Sequence, residues 1–272
     1  MLWPDSFEAA ALGSVASVQT TNQAASAYRN LAAAVYELDK PVGRSFGDIE
    51  LYTELLKDTS GLIFEPAAGN GRMLISLASK GHAVQGTEPS VDMRRLCERA
   101  ATAAGVHAPI DAGLFSDINA VEAFEAVIIP AGSLQLVTSP QEVRDILERV
   151  HRALLPGGRL IFDLDSLRGL FETSPSARSW AIDDGLITLS ELVESVSPAD
   201  QVRTSQLRYE RWVDGTLIEA QLEHFVLRFW GHHEMSTLLE LCGFTDVQLH
   251  GDYQHGTAIT AETTVATIVA TK

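Results

Sequence analysis

Short apolar runs alternate with amphipathic segments through the middle of the chain. The runs are GLIFEP (61–66), HAVQGTEP (82–89), FEAVIIPAG (124–132) and GRLIFDLD (158–165). Helical spacing of apolar residues predicts helices near 71–80, 90–104 and 140–154, and Pro156-Gly157-Gly158 predicts the end of the last one. Strands joined by helical crossovers run parallel, so we expect a mainly parallel sheet with helices on both faces.

The pattern differs on both sides of this region. Before it, apolar spacing predicts helices over 24–38 and 47–57, after a loose lead-in of residues 1–22. After it, residues 178–230 have the pattern of extended strands, and Asp214-Gly215 indicates a two-residue hairpin turn. A helix ending at Gly243 and two final strands, FTDVQLHG and TTVATIVATK, follow. We therefore expect an antiparallel meander inserted into an α/β domain.

Composition and charge narrow the class of partner. The 272 residues carry a formal net charge of −16, which repels phosphate backbones and anionic membrane surfaces, so neither nucleic acid nor membrane is expected as a partner. The two cysteines, Cys97 and Cys242, lack CxxC spacing, which excludes a disulfide framework and a cysteine-based zinc site. Without a basic signal-peptide start or an apolar run of about 20 residues, we expect a soluble cytoplasmic protein. The sequence leaves the oligomeric state open.

Candidate ligand-binding residues follow the first two runs. Gly69 and Gly71 lie between a strand and a helix, where a ligand can approach the backbone, and Glu65 precedes them. Glu88 ends the second run, where a carboxylate can accept both ribose hydroxyl protons. Leu74 occupies the third glycine position of GxGxxG, and no GK[ST] follows. The acidic Glu65 would repel a pyrophosphate, so this pattern favours a cationic ligand.

Four motifs in order carry a family resemblance. EPAAGNGR, GTEPS, FEAVIIPAGSLQLVTSP and LLPGGRLIFDLDS, within about residues 45–165, resemble the motif set of class I S-adenosylmethionine-dependent methyltransferases. The resemblance implies a Rossmann-like α/β fold: a seven-stranded, mostly parallel sheet with helices on both faces and the meander after the fifth strand. It also implies three parts: a lead-in and cap helix (1–45), a methyltransferase core (46–170 with 231–272) and an inserted cap subdomain (171–230).

The same resemblance implies the ligands. The cofactor would be S-adenosylmethionine, released as S-adenosylhomocysteine, and the methyl group would pass to nitrogen or oxygen of a small soluble metabolite. Nitrogen is preferred, because the chain offers no convincing general base for a hydroxyl. The implied cofactor-binding residues are Tyr36, Arg44, Glu65, Ala67, Gly69, Gly71, Glu88, Pro89, Met93, Leu114, Phe115, Pro130, Ala131 and Gly132.

The resemblance assigns roles within this set and also shows departures. Glu65 and the glycines would hold the methionine part, Glu88 the ribose, and residues 130–132 would lie beneath the sulfonium. Ala67 replaces a family glycine, which is tolerable if its φ stays below zero. Leu114 replaces the commoner Asp beside adenine, which leaves the adenine amino group to backbone atoms or to Asp117.

Candidate catalytic residues are fewer. Tyr209 and Arg211 share one face of a predicted strand, and His224 lies on the next strand of the hairpin. Tyr209 and His224 are therefore candidates from the meander.

His232 is a further candidate for a base. It begins a predicted helix with His233 and Glu234, but the spacing does not match a metal site, and no metal is expected.

Other polar residues near the expected pocket mouth remain open as neighbours of the acceptor. Asp163 and Asp165 lie at the end of the run GRLIFDLD, where either carboxylate could orient an amine or simply be a loop carboxylate. Ser133 and Gln135 follow the run FEAVIIPAG.

The sequence leaves two rival functions open. A dinucleotide-dependent oxidoreductase would bind NAD, and a non-catalytic S-adenosylmethionine-binding protein would bind the cofactor without transferring its methyl group.

Overall fold

The computed structural model describes residues 28–272, so the predictions for residues 1–27 lie outside the described residues. The helices of this range are α1 (Leu31–Asp39), α2 (Asp48–Leu55), α3 (Arg72–Ser79), α4 (Val91–Ala104), α5 (Pro140–Ala153) and α6 (His232–Leu241). The strands are β1 (Ile63–Pro66), β2 (Val84–Thr87), β3 (Ile110–Asp111), β4 (Phe124–Ile129), β5 (Leu154–Asp165), β6 (Ser176–Ile182), β7 (Gly185–Ser197), β8 (Val202–Val213), β9 (Thr216–Arg228), β10 (Thr245–Gly251) and β11 (Val265–Thr271).

Seven strands form the main sheet, in the order β10-β11-β5-β4-β1-β2-β3. The first five strands of the chain pair in parallel, and β11 is antiparallel to both β5 and β10. Along β5, Leu160 and Phe162 face a core that includes residues of α5 and α6, while Ile161 faces a core that includes residues of α2, α3 and α4. The predicted α/β fold, with a mostly parallel sheet covered on both faces, is confirmed.

The remaining four strands form a separate antiparallel meander, in the order β6-β7-β8-β9. The hairpin turn at Asp214-Gly215 is confirmed, because Val213 pairs with Thr216 across it. One face of the meander, carrying Leu189 and Tyr209, packs against α1. We call this face the inner face. The insertion thus lies between β5 and α6 in sequence, as expected.

Three local predictions differ from the structure. The helix predicted over 24–38 begins at Leu31, because Tyr28 and Asn30 have φ of 55° and 51°. Strand β3 has two residues, too few for a periodic pattern, and no run predicted it. Helix α5 ends at Ala153, and Pro156-Gly157-Gly158 lies inside β5, where the register with β4 shifts.

Candidate functional site

A cavity of about 360 Å³ lies between the loops that follow β1, β2 and β4, helix α1 and the inner face of the meander. Ten of the predicted cofactor residues line it: Tyr36, Ala67, Gly69, Glu88, Pro89, Met93, Leu114, Phe115, Ala131 and Gly132. The other four, Arg44, Glu65, Gly71 and Pro130, do not line it. Most of the residues predicted from the resemblance therefore face one cavity.

The loop after β1, residues 67–71, is called here the glycine loop. Ala67, Gly69 and Gly71 have φ of 56°, 60° and 81°, so the expectation that Ala67 keeps φ below zero is wrong. A Cβ on Gly69 would lie 3.9 Å from the Tyr36 hydroxyl and 3.4 Å from the Met93 Cε, narrowing the cavity.

Gly71 serves packing rather than the cavity. A Cβ there would overlap the Sγ of Cys97 on α4, so glycine lets the start of α3 approach that helix closely.

Glu88 is fixed at the end of β2 by two backbone donors. Its Oε2 accepts from the Gly69 N–H at 3.0 Å, and its Oε1 accepts from the Ser90 N–H at 2.8 Å. Burial raises the pKa of Glu88, and these two hydrogen bonds lower it in part. The carboxylate is thus buried, held in one orientation and part of the cavity wall.

Glu65 lies behind the glycine loop. It is buried, and its Oε2 has no hydrogen-bond partner among residues 28–272. Burial raises the pKa of Glu65 well above its usual value, and the charge of Glu88 raises it further. Arg72 opposes the rise, but its guanidinium is already paired with Asp48. Glu88 in the cavity wall and Glu65 behind the glycine loop together disfavour an anion at this end of the cavity and favour a cation.

The residue that follows α1 is a cation that the sequence did not predict as part of the site. Lys40 lines the cavity with its Nζ 5.4 Å from the Tyr36 ring centroid, and burial lowers its pKa. Its carbonyl accepts from the Asn70 side chain at 2.9 Å. The sequence instead predicted Arg44, whose guanidinium lies over the Phe46 ring. Lys40 follows Tyr36 by four residues, and this helical spacing could have placed both side chains on the same face of the predicted helix.

Residues 130–132, which follow β4, are called here the floor segment. Ala131 and Gly132 have φ of 57° and 71°. The Ala131 N–H donates to Asp163 Oδ2 at 2.8 Å. Asp163 lies fully buried within β5, so it is not a loop carboxylate, whereas Asp165, at the end of β5, lines the cavity.

Among the meander candidates, Tyr209 lines the cavity from the inner face. It is buried, which raises the pKa of its hydroxyl, and the charge of Glu223 raises it further. His224 lies along the cavity wall, but the strand register places its imidazole on the opposite face, where Nδ1 is 2.9 Å from Glu194 Oε2. Arg211 pairs with Asp184 and does not line the cavity.

Of the candidates near α6 and the floor segment, Ser133 lines the cavity, whereas His232 and Gln135 do not. His232 begins α6, lies against His233 with ring centroids 4.2 Å apart, and does not line the cavity. Ser133 lines it, with its hydroxyl donating to the Pro130 carbonyl at 2.9 Å. Gln135 is buried and accepts from the Asp165 N–H at 2.7 Å, so it supports the end of β5.

Asp117 shapes the loop that ends at Leu114. Its Oδ2 accepts from the Leu114 N–H at 2.8 Å, and Asp117 is not part of the cavity wall.

Two further properties concern the described part of the chain only. Residues 28–272 hold no group of three His, Cys, Asp or Glu side chains able to bind a metal ion. Within the same range, the helices are too short or too polar to cross a bilayer.

Fold and cavity together define a class of enzyme. A parallel sheet with a reversed final hairpin, a glycine loop after β1 and a buried carboxylate after β2 are features of the class I methyltransferase fold, and the protein is an S-adenosylmethionine-dependent methyltransferase with this fold. Residues 63–158 match the family model of a methyltransferase domain. The cofactor of this class is S-adenosylmethionine.

Individual proteins resemble this chain. YqeM of Bacillus subtilis (strain 168), whose name describes it as a methyltransferase, is 25% identical over 191 residues, which are 70% of this chain and 74% of YqeM. A sugar N-methyltransferase from a Streptoalloteichus species shares the fold with a TM-score of 0.71 at 16% identity, covering 100% of this chain and 98% of that one. An S-adenosylmethionine-bound amino pentose methyltransferase from Micromonospora echinaspora has a TM-score of 0.67 at 15% identity, covering 90% and 97%.

Proposed function

We propose that the enzyme transfers the methyl group of S-adenosylmethionine to a nitrogen atom of a small amine, and that Asp165 holds this amine. The carboxylate of Asp165 carries the proposal. It lines the cavity beside the floor segment, and no ion pair or side-chain hydrogen bond engages it among residues 28–272. The other acidic residues of the wall have such partners.

The residues at the other end of the cavity suit the cofactor. Glu65 has a free, buried Oε2 that would accept from the ammonium group, and Glu88 would accept from the ribose hydroxyls. Lys40 would pair with the carboxylate of the methionine part. Leu114 and Phe115 supply apolar contact for adenine. Opposite charges thus meet at two points, at Glu65 and at Lys40, and a pyrophosphate would face two carboxylates instead.

The acceptor end is the part of the cavity under the meander. There Asp39 pairs with Arg178 at 2.5 Å, and Glu191 lies 3.7 Å from Arg203. Asp165 is the carboxylate left to bind a ligand at this end of the described cavity. Burial raises the pKa of Asp165 by more than the charges of Lys40 and Arg203 lower it, and neither cation forms an ion pair with this carboxylate.

Transfer then requires positioning more than acid or base chemistry. The sulfonium of the cofactor, when bound, supplies a methyl carbon already activated for displacement. Asp165 would accept a hydrogen bond from the N–H of the amine and direct the nitrogen lone pair away from itself. The meander and α1 cover the cavity and exclude water. The fold shared with the sugar N-methyltransferase and the amino pentose methyltransferase supports a nitrogen acceptor by analogy only.

Ligand binding tests the cofactor half of the proposal. We expect micromolar binding of S-adenosylmethionine and S-adenosylhomocysteine by calorimetry, weakened at least tenfold in Glu88→Ala, and no binding of NAD. Binding of NAD instead would favour an oxidoreductase.

Methyl transfer tests the acceptor half. A panel of amines, amino sugars and their matched alcohols would be incubated with labelled S-adenosylmethionine, and the methylated atom identified by mass spectrometry and NMR. We expect N-methylated products and a loss of about 100-fold in kcat/KM in Asp165→Asn. Glu172→Gln is the matched control, because it removes a neighbouring exposed carboxylate that does not line the cavity. O-methylated products, or full activity in Asp165→Asn, would contradict the proposal.

We also propose that the three sequence-derived parts are functional units: residues 1–45, the core of 46–170 with 231–272, and the cap of 171–230. The core would bind the cofactor, and the cap would select the acceptor. Replacing residues on the inner face of the meander should change acceptor KM and leave the Kd of S-adenosylhomocysteine unaltered.

A further inference from the structure

The floor segment has an unfavourable backbone conformation at the place where it faces the cavity. Ala131 and Gly132, two consecutive residues, both have positive φ, and both line the cavity. Glycine adopts this conformation readily, but alanine does so only when the surroundings hold it. Asp165, the proposed acceptor-binding residue, lies next to Gly132. The conformation of this segment therefore shapes the acceptor end of the cavity.

One side chain holds the segment from below. Asp163 Oδ2 accepts from the Ala131 N–H at 2.8 Å. The preceding residue, Pro130, has no N–H of its own, so the Ala131 N–H is the first donor of the segment. The hydrogen bond thus acts on the alanine whose conformation needs support.

Asp163 is itself surrounded by donors. The Thr267 hydroxyl donates to its Oδ1 at 2.7 Å, and the Tyr253 hydroxyl lies 3.4 Å from its Oδ2. Tyr52 of α2 also packs beside it. An ionised carboxylate accepts from the Ala131 N–H and from the hydroxyls of Thr267 and Tyr253, whereas a proton on Oδ2 would compete with the Ala131 N–H and remove that hydrogen bond.

The charged groups around this cluster are few. Asp48 of α2 raises the pKa of Asp163, and burial raises it most, to about 7. Arg72 and Asp165 act on the neighbouring Tyr253. No cation pairs directly with Asp163 among the described residues, so its ionisation depends on the donors named above.

We propose that Asp163 is a positioning residue for methyl transfer, which fixes the floor segment through the Ala131 N–H and so aligns the acceptor with the reacting methyl group. This proposal rests on the proposed methyl transfer in this cavity, and it does not depend on whether the acceptor is an amine. Asp163 touches neither ligand. Its ionised form holds the segment, and its protonated form releases it.

Three variants separate positioning from simple structural support. In Asp163→Asn, kcat should fall about 10- to 100-fold, while the Kd of S-adenosylhomocysteine stays within threefold. Adding Ala131→Gly to this variant should restore most of kcat, because glycine adopts the positive φ without the hydrogen bond. Thr267→Val is the matched control, since it alters the same buried cluster but leaves the Ala131 contact. It should keep the maximal kcat and shift the acidic limb of the pH profile to higher pH, because a lost donor favours protonated Asp163.

An acceptor-independent measurement accompanies the kinetics. In the protein bound to S-adenosylhomocysteine, the Ala131 backbone amide resonance should titrate near pH 7, titrate at higher pH in Thr267→Val, and stop titrating in Asp163→Asn. This arm works even if no amine or alcohol in the acceptor panel is methylated, so a failure of the proposed function is distinguishable.

The proposal is overturned by any of three results. The Kd of S-adenosylhomocysteine could rise in Asp163→Asn by the same factor as kcat falls. Ala131→Gly could fail to restore kcat in a double variant that is folded by circular dichroism. The Ala131 amide could also titrate alike in the wild-type protein and in Asp163→Asn.

Discussion

At the scale of single residues, Ala67 is the clearest departure from what its position requires. Its φ of 56° places an alanine in the left-handed region, where a Cβ costs about 1 kcal/mol. Glycine would remove this cost. It would also give the unfolded chain more conformational entropy, which lowers the free energy of unfolding by about 0.5–1 kcal/mol. The two effects nearly cancel, and steric relief is the larger.

We therefore expect Ala67→Gly to raise the free energy of unfolding by no more than about 0.5 kcal/mol and to leave cofactor binding within a factor of three. Chemical denaturation and calorimetry with S-adenosylhomocysteine measure both quantities. Gly71→Ala is the contrasting variant, because its Cβ would overlap Cys97, and it should destabilise by at least about 1 kcal/mol. A marked loss of stability in Ala67→Gly would show that the alanine side chain makes a favourable contact that outweighs its φ.

Other residues show how far the sequence alone could predict the site. Gly69 and Glu88 were predictable, because a loop between a strand and a helix and the end of a second strand have fixed places in such a fold. The φ of Ala67 was not, since it depends on how the loop joins β2. Lys40 was missed in favour of Arg44, because the sequence does not show where α1 ends relative to the cavity.

At the scale of elements, the entry into α1 connects the core to the meander. The Tyr28 carbonyl accepts from the Ser90 hydroxyl at 2.7 Å, at the start of α4. The Leu31 N–H donates to Gln221 on β9 at 3.1 Å. Helix α1 also contributes to the cavity wall. Release of bound cofactor should therefore require some movement of this segment.

Ser90 offers a test of this connection. Its hydroxyl accepts from the Met93 N–H at 3.3 Å, capping α4, and also donates to Tyr28. We expect Ser90→Ala to cost about 1–2 kcal/mol and to speed dissociation of S-adenosylhomocysteine several-fold, measured by stopped-flow displacement. Ser139→Ala removes the equivalent cap of α5, remote from α1, and should cost about 1 kcal/mol without changing the dissociation rate. Equal dissociation rates in both variants would contradict a role for this segment in release.

The meander shows why its strands could be predicted from the sequence while the direction of the His224 side chain could not. The turn at Asp214-Gly215 fixes the pairing of Trp212 with Leu217, and continuing that register would place His224 opposite Ser205, on the same face as Tyr209. A bulge between Arg211 and Trp212 shifts the pairing by one residue, so that His224 pairs with Gln206 instead. A shift of one residue turns every later side chain to the opposite face. The bulge has no signal in the sequence, so the strands were predictable and the direction of His224 was not.

At the scale of the whole molecule, several buried carboxyl groups make the free energy of unfolding depend on pH. Burial raises the pKa of Glu65, Glu88, Asp163 and Asp165. A carboxyl group with a raised pKa binds protons more tightly in the folded state than in the unfolded one. Its stabilising contribution is therefore present at low pH and is lost as the pH rises through its folded-state pKa. For Asp163 this pKa is about 7.

The ligand-free protein should consequently be more stable at pH 6.5 than at pH 8, as measured by urea denaturation. At the lower end of this window, His232 and His250, whose pKa values are lowered by burial, oppose part of the trend because the unfolded chain binds their protons more tightly, and they oppose it more strongly below pH 6.5. Glu65 should contribute most directly to cofactor binding. Its carboxylate is fully desolvated and its Oε2 has no partner in the described range, so Glu65→Gln removes a buried charge that only a cationic ligand would compensate.

We expect Glu65→Gln to stabilise the ligand-free protein at pH 8 by about 1–3 kcal/mol, to flatten part of its pH dependence and to weaken S-adenosylhomocysteine at least tenfold. Glu125→Gln is the matched control for losing one negative charge, because Glu125 lies away from the cavity, accepts from the backbone of Ser60 and should lose stability instead. Opposite signs for the two variants would mean that the charge at Glu65 is maintained for the ligand at the expense of the fold. A loss of stability in both would mean that Glu65 supports the fold through its Arg72 neighbour, and the cationic ligand would then have to be held by other groups.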